Sequence, residues 1–192
     1  MSDFLPKGYE DSKSLNEQGG GYMKFVKGVN RFRIMCAPIV GWEWWEETSE
    51  GKKTPKRVKI DTKIDVTTVS DPESIKRFWA MVVYNYEAKK LQILEITQKG
   101  IQKTLTSYAG DSDWGSPVGT YDIVITRTGD GLETEYGVMP KPKSDMDEGI
   151  VQLYKDTDIS LGALYEGGDP FKVEKEKEGE DIAEEADKSI PF

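Results

Sequence analysis

The chain has 192 residues, of which 36% are hydrophobic and 32% charged, and its formal net charge is −9. That length and apolar content support one core with appendages, and with no run of about 18 apolar residues no membrane-spanning helix is expected. Histidine is absent and Cys36 is the single cysteine, which excludes a zinc site, a histidine-assisted nucleophile and an internal disulfide.

Residues 1–21 are polar and close on Gly19-Gly20-Gly21, which predicts a flexible N-terminal arm. The start lacks a basic-then-apolar pattern, so no secretory leader is expected, and the lone cysteine points to a reducing, cytoplasmic setting. From Tyr22 the pattern alternates. In YMKFVKGVNRFRIMCA, Phe32, Ile34 and Cys36 fall on one side and Arg31 and Arg33 on the other, which predicts a strand with two exposed arginines. Gly28 and Asn30 suit a bend between its halves. IVGWEWWEE predicts a second strand, TSEGKK a turn, and PKRVKI the returning strand of a hairpin. FWAMVVYNY is β-branched and aromatic, as a central strand requires. EAKK is a tight turn and LQILEI the next strand.

A helix is predicted from Thr97, read as its N-cap, to a stop at Gly110; Ile101, Leu105 and Tyr108 share one of its faces. YDIVITRTGDGLETEYGVMP reads as a hairpin turning at Asp130-Gly131. Three strands or hairpins, one helix and two further strands is the element order of an OB-fold, a small, partly open barrel. The expected fold is therefore mainly β: a five-stranded OB-fold-like barrel with one helix over residues 22–140. An acidic, weakly helical extension over 141–172 is expected to pack on it, with an acidic disordered tail over 173–192.

Charge is segregated along the chain. Residues 22–105 carry a net +6, residues 106–172 a net −8, and residues 173–192 a net −5. A basic, aromatic front half joined to an acidic back half suggests a polyanionic partner and a tail that competes with it. Single-stranded nucleic acid needs flat π surfaces for its bases and cations for its phosphates. Lys24, Lys27, Arg31, Arg33, Trp42, Trp44, Trp45, Lys56, Arg57, Lys59, Trp79, Tyr84 and Tyr86 supply both, and are the candidate binding residues. Trp44 and Trp45 are neighbours in a strand and point to opposite faces, as do Phe78 and Trp79. One member of each pair looks outward unless both faces are covered.

Two other groupings read as structural. Asp111 and Asp113 in GDSDWGSP open like a calcium loop, but the ligand spacing does not continue. Glu95 and Lys99 follow the strand-end pattern of metal-dependent nucleases, without the convergent carboxylates that two-metal chemistry needs. No phosphate-cradling glycine motif occurs. No cofactor and no catalytic residue are expected.

The acidic tail ends in Ile190, Pro191 and Phe192, an apolar tip that reads as a docking peptide. Those three residues resemble the tail tip of bacterial single-stranded DNA-binding proteins. The stretches GVNRFRIMCAPIVGWEWWEE and FWAMVVYNYEAKKLQILEITQKGIQ resemble the core of single-stranded DNA-binding proteins of tailed bacteriophages. The likeness covers about residues 22–140 and the tail; Lys188 and Ser189 stand where bacterial tips carry acids. It implies an OB-fold that binds single-stranded DNA without sequence preference, and a tail that recruits replication and recombination proteins. For a phage protein it implies the host cytoplasm. The rival readings are a Mg²⁺-dependent nuclease and an acidic interaction protein.

Overall fold

The computed structural model describes residues 20–172. Most of the expected arm and the acidic tail, with Ile190, Pro191 and Phe192, lie outside the described residues.

The chain forms a mainly β structure around one mixed sheet. Its strands are β1 (Tyr22–Met23), β2 (Gly28–Ile34), β3 (Ile39–Glu47), β4 (Lys53–Lys59), β5 (Lys76–Asn85), β6 (Lys90–Ile96), β7 (Asp122–Thr128) and β8 (Glu135–Pro140). Helix α1 (Lys99–Gly110) follows β6, and α2 (Glu148–Asp156) follows β8. The main path runs β1-β6-β5-β2-β7-β8. Strand β5 is central. One edge pairs with β6. Its other edge is shared, with Lys76–Ala80 against β3 and Val83–Asn85 against β2. The β3–β4 hairpin therefore extends as an arm from one end of β5.

The bend expected near Gly28 separates β1 from β2. Gly28 has a φ of 95°, in the left-handed region that glycine adopts without penalty. Asn30 fastens the bend, since its amide nitrogen donates to the carbonyls of Val26, Gly28 and Ile125. The end of the N-terminal arm is held too: Gly21 O accepts from Ile93 N at 2.8 Å, and Gly20 O from Gln92 Nε2 at 2.8 Å. The helix cap differs from expectation. Gln98, not Thr97, is the N-cap of α1, and it caps without its side chain. Ile101 and Leu105 are buried as predicted, and Tyr108 packs edge-on to Trp114.

The inner face of the sheet holds the main core. Phe32, Ile34, Met81, Val83, Leu94, Ile96, Ile123 and Ile125 pack with Ile101 and Leu105 of α1, and Tyr136 and Val138 of β8 join them. The two ends of the sheet thus share one interior, although β6 and β8 form no ladder among the described residues. Burial at about 25 cal/mol per Å² of apolar surface is the main force holding this layer.

The outer face of β5 and β6 is also covered. Phe78, Ala80, Val82, Leu91 and Ile93 pack against Leu161 and Leu164, with Ile150 and Tyr154 of α2 at the margin. The acidic extension does pack on the sheet, and it does so through an apolar stripe. Asp147 caps α2, accepting from Gly149 N and Ile150 N. Both faces of β5 are covered, the exception that the sequence reading allows: Phe78 is buried in the outer layer, and Trp79, half-buried, packs against the edge of the inner one. No helix among the described residues is long and apolar enough to cross a membrane.

Candidate nucleic-acid interface

Strand parity sorts the predicted residues onto two faces. In the arm, Trp42 lies opposite Arg77 of β5 and Val58 of β4, while Trp44 lies opposite Lys56 and Val40 opposite Trp79. These side chains continue the inner face outward past the core. The guanidinium of Arg77 sits over the Trp42 ring, 5.4 Å from its centroid. The indole nitrogens are engaged: Trp42 Nε1 donates to Ile60 O at 3.2 Å and Trp44 Nε1 to Glu46 Oε1 at 3.0 Å. Trp44 is 8% exposed and acts as the floor. Trp42 and Trp79 are half-buried, and Lys56 and Arg77 are exposed. Ring faces and cations therefore alternate along one surface, in the arrangement that base stacking and phosphate pairing need.

Arg77 is not among the candidates that the sequence alone picks out. Its signal was present, since it precedes Phe78 with the parity of Trp79. Trp45 lies on the other face, opposite Pro55, and is 50% exposed. The expected split between Trp44 and Trp45 is thus observed. Lys59 is also on that other face, opposite Gly41.

Two arginines expected to meet phosphate are structural. Arg33, expected to be exposed because it shares a face with Arg31, is instead 2% exposed. Its Nε donates to Asp122 Oδ1, its Nη1 to Ser144 O at 2.8 Å, and its Nη2 to Ser144 Oγ at 2.7 Å. Strand β7 and the segment after β8 close over it. Arg57 lies across the outer face, bonded to Glu43 Oε2 at 2.7 Å and Glu95 Oε2 at 3.0 Å, with its guanidinium over Phe78. Gly41 lets the Phe78 ring and the Val58 carbonyl approach its backbone, because a Cβ there would overlap both. Burial pushes the Glu95 carboxyl above the ordinary range, against the pull of Arg57. Its second oxygen, Oε1, is buried without a hydrogen-bond partner among the described residues, which is consistent with that direction.

The remaining candidates gather elsewhere. Arg31 pairs with Asp122 and lies over Tyr86, whose ring meets Tyr84 edge-on with centroids 5.2 Å apart. Lys27 forms an exposed ion pair with Asp130 at 2.7 Å. Lys24 lines a shallow pocket with Tyr22, Val26 and Asn85.

The acidic groupings are accounted for by local structure. Asp111 Oδ1 accepts from Asp113 N at 2.8 Å and Trp114 N at 3.2 Å, so its carboxylate organises the loop after α1. Glu95 is committed to Arg57, and Lys99 begins α1 on its exposed side. No group of three or more metal-ligating side chains occurs among the described residues. Compared with known proteins, the chain matches no family model, no curated protein and no solved structure.

Proposed function

We propose that the chain is a non-enzymatic single-stranded DNA-binding protein that holds DNA without sequence preference, on an OB-type barrel. Its role would be to coat and protect strands during replication, recombination and repair. The observation that carries this reading is the pairing of Trp42 with Arg77 and of Trp44 with Lys56 on one face of the arm. Bases would stack on Trp42 and Trp79, and phosphates would pair with Arg77 and Lys56. Each stacked base contributes about 1–3 kcal/mol, whatever its identity.

The connectivity supports the barrel. Strands β2 and β3 together act as one long first strand, β5 and β6 as the second and third, α1 follows, and β7–β8 form the closing hairpin. OB-folds commonly bind ligand on the outer face of their second and third strands and on the loop between the first two. Here the extension covers that outer face, which directs the strand to the β3–β4 arm in the loop position. The acidic tail, with Ile190-Pro191-Phe192, is proposed from its sequence to recruit replication and recombination proteins.

The test is a titration of oligo-dT followed by tryptophan fluorescence, then incubation with Mg²⁺ and inspection for cleavage. Quenching without cleavage supports the reading. Cleavage would favour the nuclease alternative, and no response would favour an interaction protein that binds no DNA.

A further inference from the structure

On the outer face of β2 and β7, at the end of β5 remote from the arm, two arginines converge on one carboxylate. Asp122 accepts from Arg31 through Nε, at 2.8 Å, and through Nη2. It also accepts from Arg33 Nε and from the Tyr86 hydroxyl at 2.9 Å. Arg33 is enclosed, and its other hydrogen bonds go to Gly119 and Ser144. One buried carboxylate is thus balanced by one buried guanidinium. The charge on Arg31 is surplus, and its side chain is 52% exposed.

Arg31 is also oriented. Its guanidinium carbon lies 4.7 Å from the Tyr86 ring centroid. Asp122 occupies one edge of the fork, which leaves the other N–H donors and the outward side of the guanidinium free for a ligand. Away from the Arg33–Asp122 row, the partners of Arg31 and Val29 across the sheet are apolar or neutral. Arg31 is in register with Val124 and Met139, and Val29 with Thr126 and Gly137. Val29 and Met139 are exposed, and a Cβ added at Gly137 would meet nothing within 4 Å. A fixed planar cation beside apolar, open surface suits a base stacked on the guanidinium with a phosphate at its free edge.

We infer that Asp122 is a positioning residue that holds Arg31 over Tyr86, making a second platform for single-stranded DNA beyond the tryptophan face. The inference rests on the strand-binding reading above. Along β5, the separation between Arg77 and Tyr84 is about 23 Å at 3.3 Å per residue. The two platforms face opposite sides of the sheet, so a strand that reaches both must pass around it.

The test is a double-mutant cycle on the full chain, reading oligo-dT affinity at fixed salt. Arg31→Ala is expected to weaken binding about tenfold, within the range for loss of one stacking contact. Asp122→Asn should weaken it by a similar factor. The double variant should bind no more weakly than Arg31→Ala alone, because Asp122 acts only through Arg31. Should Asp122→Asn fail to fold, Tyr86→Leu takes its place in the same cycle, with the same non-additive result expected. Additive losses, or a folded Asp122→Asn or Tyr86→Leu variant that binds like wild type, would overturn the inference. If Arg31→Ala binds like wild type while wild type binds oligo-dT, only this platform is lost. If wild type does not bind oligo-dT, the strand-binding reading falls and the platform with it.

Discussion

Arg77 and Trp42 face each other across the β3–β5 ladder, with the guanidinium 5.4 Å from the centroid of the indole. Such a pair presents a flat π surface and a fixed charge within one side-chain width. In an exposed setting the contact itself contributes about 0.5–1 kcal/mol. Its larger effect is to keep Arg77 beside the surface on which a base would lie.

Arg77→Ala is therefore expected to change how binding responds to salt. The slope of log K against log salt on oligo-dT should become shallower by about 0.7, the contribution of one phosphate contact on a single strand. Arg33→Ala, at a buried position, should leave the slope unchanged. A slope that does not move in Arg77→Ala would remove that residue from the interface.

Arg33 should instead govern stability. Removing it strips Asp122 of a buried partner and leaves a carboxylate enclosed, which costs on the order of 3–5 kcal/mol. Urea denaturation of Arg33→Ala reads this directly. A loss below about 1 kcal/mol would mean that Asp122 is compensated by Arg31 and Tyr86 alone.

Strand boundaries and turns were legible because they rest on neighbours in sequence. The alternation in IVGWEWWEE and PKRVKI marks β3 and β4, and parity alone separates Trp44 from Trp45. Arg31 and Arg33 share that parity, yet one is half exposed and the other enclosed. The difference is set by Gly119 and Ser144, 86 and 111 residues away, which only Arg33 reaches, and no local pattern carries it. The same holds for Phe78, whose burial depends on an extension that returns over β5. At the start of α1, both Thr97 and Gln98 are polar, and the backbone path out of β6 decides which becomes the cap.

Two carboxylates are expected to give opposite pH responses. Burial would raise the Asp122 carboxyl, but hydrogen bonds from Arg31, Arg33 and Tyr86 outweigh it and leave the group below the ordinary aspartate range. Its contribution is present above the unfolded aspartate pKa and is lost as pH falls through the folded value. Glu95 is raised, so the folded state favours its proton. Wild type should gain stability relative to Glu95→Gln as pH is lowered from neutral through the raised value toward the ordinary glutamate range. Denaturant midpoints at a series of pH values check both signs. A wild-type minus Glu95→Gln difference that is flat with pH would mean that Glu95 titrates as it does in the unfolded chain.

Leu164 belongs to the extension and is almost fully enclosed against the outer face of β5 and β6. Leu164→Ala should cost about 2–5 kcal/mol through lost burial and a residual cavity. Oligo-dT affinity of the folded fraction should not change, because the layer lies on the face away from Trp42. Tighter binding in this variant would mean that the extension competes for the strand.

The central claim is that single-stranded DNA lies on the face of the arm that carries Trp42 and Arg77. The most direct measurement is the oligo-dT affinity of Trp42→Ala beside that of Trp45→Ala, at one salt concentration. The two tryptophans sit on opposite faces of the same strand. Trp42→Ala should bind more weakly by about 1–3 kcal/mol, the value of one stacked base, while Trp45→Ala binds as wild type. Equal affinities for Trp42→Ala and wild type, or a loss confined to Trp45→Ala, would contradict the account.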